Sequence, residues 1–185
     1  RKVSAFINIT VSVKKHYRRL FHLSGKNSFV FHDFVNARIY RKQDALKCMR
    51  KELGISEEDC VITSIGRLTY WKGQHVLIEA ANLIKDKVRH FKVLIVGSAE
   101  KGLGSQEYYQ QLKEMAAAYH LESHIVFAGN REDIAAIINI SDVITHTAVK
   151  PEPQGLVIIE ALLCEKKLIA SNDGGAAELV KKYGG

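Results

Sequence analysis

Proline is nearly absent: the 185 residues contain two, Pro151 and Pro153, and both fall in one short stretch. Long apolar runs are missing too, since no window of about eighteen residues is continuously apolar, as a membrane-spanning helix would require. Cysteine is scarce. Cys48, Cys60 and Cys164 are odd in number, far apart and outside any metal-ligand spacing, which fits a reducing cytoplasm and predicts no disulfide. The histidines are equally scattered, and the close pair His120 and His124 reads as structural rather than as a zinc site. No stretch reads as a signal peptide, because Ala5–Val13 lacks a small-residue cleavage site and runs into basic residues. The dinucleotide fingerprint G-x-G-x-x-G and the Walker lysine loop are both missing, so NAD-dependent chemistry and ATP hydrolysis lose their usual support.

Acidic residues are rare in the first quarter. Residues 1–51 hold thirteen Lys/Arg against two Asp/Glu, leaving fourteen against eighteen for the remainder, so the net charge of +7 belongs to the front segment. Its densest part, Lys14 to Arg19, follows Ser12, a plausible helix cap, and Val13, Tyr17, Leu20 and Phe21 make one helical face. Such a helix is either a solvated basic face or a contact for anionic lipid headgroups or a phosphate-bearing acceptor. Nucleic acid fits less well, since no aromatic platform or reading helix accompanies the charge.

From residue 60 the pattern alternates. Strands are expected at Val61–Ile65, Lys92–Val96, Ile125–Phe127, Val143–Thr145 and Leu168–Ala170, with helices at Gln74–Lys85, Gln106–Tyr119, Ile134–Ile138, Leu156–Cys164 and Ala176–Lys182. Short, continuously apolar strands between helices predict an α/β fold: a Rossmann-like, doubly wound parallel sheet with helices on both faces. Ligands of such sheets bind beyond the carboxyl ends of the strands. The unusual residues lie there. The first strand runs into Gly66-Arg67-Leu68-Thr69-Tyr70-Trp71-Lys72-Gly73, where glycines permit a tight turn and Arg67 and Lys72 can converge on a diphosphate. Trp71 reads as packing.

The stretch Lys150–Glu160, K-P-E-P-Q-G-L-V-I-I-E, is the corner that the other loops surround. Its two prolines hold Glu152 in a stiff, non-helical loop. After Gly155 an apolar run reads as a buried helix with Glu160 as its one charge, and the free amides of residues 154–156 form a helix N-terminus suited to an anion.

Taken whole, this stretch resembles the Glu, seven residues, Glu motif of glycosyltransferase family 4, usually E-P-F-G-L-x-x-x-E-A, with Gln154 in place of the common Phe. Further segments resemble the same family: G-R-L-x-x-x-K-G at Gly66–Gly73, V-G-x-G at Val96-Gly97-Ser98 with Lys101–Gly104, F-x-G at Phe127–Gly129, and G-G-x-x-E at Gly174–Glu178. Phe29–Asp33, Asn36 and Leu53-Gly54-Ile55 resemble its interdomain linker. The family resemblance implies the C-terminal half of a GT-B architecture, with residues 1–59 a basic segment and linker from a missing N-terminal domain and 60–185 a truncated donor-binding domain.

The resemblance further implies retaining transfer from a nucleotide diphosphate sugar, a UDP-sugar first and GDP-mannose second. Arg67 and Lys72 would bind the diphosphate with Gly66 at their turn, and Gly97 and Ser98 would approach the nucleotide. Asn130 and Arg131 would border the base, and Thr147 would stand in for a serine. Gln154, Gly155 and Leu156 would offer backbone amides, Glu160 would hold the ribose, and Glu152 the sugar. Catalysis is expected from Glu152, Arg67 and Lys72, with no metal and no cofactor. The acceptor, a glycan or lipid-linked molecule, would be met through the missing domain, in the cytoplasm and with room for peripheral contact at the membrane's inner face. This fragment alone is expected to be inactive. An epimerase of the same fold, or a non-catalytic nucleotide-binding module, is the alternative.

Overall fold

The computed structural model describes residues 5–22, 27–43, 47–100 and 104–183. The front segment forms β1 (Phe6–Asn8), α1 (Val11–Leu20) and β2 (Ser28–Val30), with the two strands paired in parallel. Thr10, rather than the expected Ser12, caps α1, because its hydroxyl accepts the Val13 amide at 3.1 Å and the helix therefore starts two residues sooner. No residue of α1 is buried.

Helix α2 (Lys47–Glu52) leads into the main sheet, whose strands are β3 (Cys60–Ile65), β4 (Phe91–Val96), β5 (Ile125–Gly129), β6 (Val143–His146) and β7 (Lys167–Ala170). All neighbours are parallel, in the order β5-β4-β3-β6-β7. Parallel strands need crossover connections, and the helices that supply them cover both faces. Successive residues of β4 show the consequence. Phe91, Val93 and Ile95 meet α3 (Gln74–Ile84) and α4 (Ser105–Ala118) through Leu77, Ile78, Ala81, Tyr108, Leu112 and Ala116. Leu94 and Val96, with Val61, face Ile137 and Ile140 of α5 (Ile134–Ile140) on the other side. Burying both faces leaves little place for polar alternation, and polar residues that do enter, such as Thr63 and Thr145, are hydrogen-bonded in the interior. Helices α6 (Leu156–Leu163) and α7 (Gly174–Tyr183) extend the layer over β6 and β7 through Ile158, Ala161, Ala176 and Leu179.

The five expected strands and five expected helices are all present, with ends displaced by at most two residues. Residues 101–103 of the expected V-G-x-G loop lie outside the described residues. The chain moves outward from β3 in both directions, so the fold switches between β3 and β6, and the loops leaving those two strands flank the crevice.

Candidate functional site

Glycines join the loops at the carboxyl edge of the sheet. The Gly66 amide donates to Val96 O at 2.9 Å, Leu68 N to Ser98 O at 3.1 Å, and Gly97 N to Gly129 O at 2.8 Å. Gly97 has φ +139, and a Cβ there would stand 2.0 Å from Gly66 O, so only glycine fits. On the other side of the switch point, Thr147 Oγ1 donates to Gly73 O at 2.9 Å. The loops after β3 and β6 are thereby fixed to one another.

This brings Lys72 and Glu152 together. Lys72 Nζ lies 2.7 Å from Glu152 Oε2, and the side chains are only 19% and 11% exposed. His146, at the end of β6, is 4% exposed and places Nε2 3.4 Å from the same oxygen. That nitrogen makes no aligned hydrogen bond. Burial would push the Glu152 carboxyl up, but His146 and Lys72 together hold it below the ordinary carboxylate range. The loop bearing Glu152 is itself gripped by the first turn of α7: Gly175 N donates to Glu152 O at 2.7 Å, and a Cβ on Gly175 would stand 2.2 Å from Pro153 O. The glycines of the G-G-x-x-E element thus make room for the acidic loop's own backbone.

Gly155, at φ +81, turns the chain into α6 without a side-chain cap. The first turn of α6, Gly155 to Val157, lines a cavity of about 300 Å³ together with Lys72, Glu152, Asp33 and Ile65. An ammonium, a carboxylate and a helix N-terminus therefore share one concave space. One turn further along α6, burial raises the pKa of Glu160, and only the Tyr40 side chain from the linker offsets it with a hydrogen bond. Tyr40 is in turn pushed up to about 12, by burial first and then by Glu160.

The other expected residues are placed differently. Arg67 is exposed and sits 3.6 Å from Glu100. Gly97 and Ser98 border a second cavity of about 230 Å³ with Leu68, Phe127 and Gly129. Asn130 is exposed. Arg131 turns its guanidinium toward Glu52 at 2.6 Å and Asp133 at 2.7 Å, a clamp between α2 and the start of α5, so its side chain is already engaged. Gln154 is buried and makes a two-way clamp on the linker: Asp33 N donates to its Oε1 at 3.2 Å, and its Nε2 donates to Asp33 O at 3.0 Å. Leu156 is exposed at the cavity mouth.

Sequence reasoning missed four residues. His146 and Tyr40 contact the glutamates, Gln74 donates to Arg67 O at 3.0 Å, and Glu178 accepts the Val11 and Ser12 amides at 3.2 and 3.1 Å. Gln74 offered a local signal as a polar residue on the buried face of α3, and Glu178 offered one as the acid of the G-G-x-x-E element, though not its contact with α1. Among the described residues, no group of three or more His, Cys, Asp and Glu side chains gathers as metal ligands would. No described helix is long and apolar enough to cross a membrane.

The fold recurs in known proteins. A structure of HepE from Anabaena in complex with UDP-glucose superposes with a TM-score of 0.89 at 30% identity, covering 97% of this chain and 48% of that one. N-acetyl-alpha-D-glucosaminyl L-malate synthase of Bacillus anthracis is 26% identical over 150 residues, which is 81% of this chain and 37% of the relative. Lipopolysaccharide 1,2-N-acetylglucosaminetransferase of Salmonella typhimurium is 25% identical over 134 residues, 71% of this chain and 35% of the relative. The chain thus spans a little over a third of these curated relatives and about half of the solved neighbour. The family model described as glycosyl transferases group 1 matches residues 47–185, so the chain, with its five-stranded parallel sheet of GT-B type, belongs to that family of glycosyltransferases.

Proposed function

We propose that residues 60–185 are the donor-binding domain of a retaining glycosyltransferase of family 4. It would transfer a sugar from a nucleotide diphosphate, a UDP-sugar in preference to GDP-mannose, to a glycan or lipid-linked acceptor. The observation that carries this reading is the grouping of Lys72, Glu152 and the N-terminus of α6 around one cavity at the switch point. Departure of a nucleoside diphosphate builds negative charge on its terminal phosphate. Preorganised donors aimed at that charge lower the barrier without reorganising. Lys72 and the first amides of α6 are such donors here, and Arg67 joins them once it leaves Glu100. The position of Glu160, on α6 behind that phosphate site, suits the vicinal hydroxyls of a ribose, since each carboxylate oxygen accepts from one hydroxyl. Glu152 is assigned to the hydroxyls of the transferred sugar.

Residues 1–59 are assigned to the partner domain and linker. Within them α1 carries Lys14, Lys15, Arg18 and Arg19, and leaves Tyr17, Leu20 and Phe21 between 43% and 57% exposed, which supports an acceptor or membrane surface bearing phosphate.

Titrating Glu152→Gln and Glu160→Gln with UDP and with UDP-glucose, or the GDP pair if that is the donor, tests the assignment. Glu160→Gln should weaken both ligands by about 1–3 kcal/mol, the worth of hydrogen bonds to a charged group. Glu152→Gln should weaken the sugar nucleotide and leave the bare nucleotide nearly untouched. Equal losses for the two ligands in Glu152→Gln would return that carboxylate to a purely structural role.

A further inference from the structure

The least satisfied buried group at this corner is His146. Its side chain is 4% exposed, and its Nε2 lies 3.4 Å from Glu152 Oε2 without the alignment of a hydrogen bond. On the other side of the ring, Nδ1 is 3.3 Å from Ser171 Oγ, and the backbone is fixed by Ser171 N donating to His146 O at 2.9 Å. If the Ser171 hydroxyl donates to Nδ1, the ring carries its proton on Nε2, aimed at the carboxylate. Gly155 leaves that path open, because a Cβ there would meet His146 Nε2 at 3.3 Å and Glu152 Cγ at 3.5 Å.

The oxygen that His146 faces is already taken by Lys72 at 2.7 Å. One buried oxygen thus has two suitors, and the nearer one is the residue assigned to the departing diphosphate. A phosphate in the cavity would compete with Glu152 for Lys72. Once Lys72 moved, Glu152 would be an 11% exposed carboxylate without its counter-ion, a state that raises its pKa and frees its orientation. A donor already buried beside it prevents both.

We propose that His146 is a positioning residue for Glu152, taking over the carboxylate through Nε2–H when a bound diphosphate draws Lys72 away. The unaligned 3.4 Å contact is the resting half of an exchange, and a small shift of the loop completes it. Glu152 then stays ionised with its second oxygen free for the sugar. The inference rests on the donor-site reading above.

The test uses the intact protein labelled with ¹⁵N-histidine, with UDP as probe, or GDP if UDP does not bind. In the unliganded protein, the His146 ring should show the Nε2–H tautomer, and saturating UDP should move the Nε2 proton downfield as the bond to Glu152 forms. The Nδ1–H tautomer, or a ring signal unchanged at saturation, overturns the proposal. The second arm is His146→Phe, which keeps a ring and removes both nitrogens. Its affinity for UDP should stay within about twofold, while UDP-glucose weakens roughly tenfold to a hundredfold, the range set by a hydrogen bond to a charged group. Equal affinities in variant and wild type refute it. If His146→Phe does not fold, Ser171→Ala releases Nδ1 without removing the ring, and should reproduce the selective loss in smaller measure; an unaltered UDP-glucose affinity there counts equally against the proposal. Wild-type protein that binds neither nucleoside diphosphate defeats the donor-site reading and this inference together. Wild-type binding with an indifferent His146→Phe defeats this inference alone.

Discussion

Replacing Lys72 by Met should cost more stability at neutral pH than in acid. The pair it breaks is 2.7 Å long, with side chains 19% and 11% exposed. Met retains most of the aliphatic stem, so the charge is the main loss. Breaking a fully buried ion pair costs about 3–5 kcal/mol and an exposed one about 0–1 kcal/mol. With His146 still beside the carboxylate, about 2 kcal/mol is expected. The sign of the pH dependence follows from Glu152. Burial raises its pKa, yet His146 and Lys72 hold it below the ordinary value of 4.5, so the native state favours the ionised form. That stability is fully present above the unfolded pKa and is lost as pH falls through the native one. Without Lys72 only His146 opposes burial, so Glu152 in the variant takes up its proton at a higher pH than in the wild type. The gap between wild type and variant should therefore be widest near pH 7 and narrow toward about pH 4. Denaturant unfolding followed by far-UV circular dichroism measures it. Fluorescence is unsuitable, because Trp71 lies 4.5 Å from the replaced ammonium. A gap that is constant with pH, or below about 0.5 kcal/mol at neutrality, would mean that solvent screens the pair.

Other consequences are equally direct. Gly73→Ala places a Cβ 1.9 Å from Thr147 O at φ +72, so it should lose about 2–4 kcal/mol in thermal unfolding through left-handed strain and backbone displacement. Gln154→Ala leaves both backbone groups of Asp33 without their partner, and should cost about 2–3 kcal/mol while speeding hydrogen exchange at the Asp33 amide. Arg131→Met breaks contacts to carboxylates that are 56% and 39% exposed, so its cost should stay below about 1 kcal/mol and shrink in high salt; a larger, salt-independent loss would show a buried role.

What could be read from the sequence depended on how locally each feature is determined. Lys92–Val96 announced itself because a strand buried on both faces is mostly apolar, whereas Val61–Ile65 also holds Thr63 and Ser64, both buried, and showed itself only through Val61, Ile62 and Ile65. The acidic loop was legible from Pro151 and Pro153, whose fixed φ forbids helix there. β1, β2 and α2 were not visible: three-residue strands and a six-residue helix are too short to show a period. Ser12 and Thr10 were equally good caps by type, and the choice fell to Thr10 because its hydroxyl can also donate to Pro153 O, far away in the chain. Gln154 departs from the family's usual Phe. It was expected only to offer its backbone, and its side-chain clamp depends on Asp33, 121 residues distant. His146 carried no pattern at all, since its meaning comes from what the loop after it folds back to touch.

The attachment of α1 has a mechanical meaning. Thr10 Oγ1 donates to Pro153 O at 2.9 Å, and Glu178 receives the first two amides of the helix. Pro153 is the residue directly after Glu152, so this attachment bears on the very strut that sets the carboxylate's aim. The helix is thereby a lever arm whose short end is the acidic loop and whose long end projects Lys14, Lys15, Arg18 and Arg19 to the surface. A load on that basic face would pull on the acidic loop through the single Thr10–Pro153 bond, while the two bonds to Glu178 anchor the same helix end to α7.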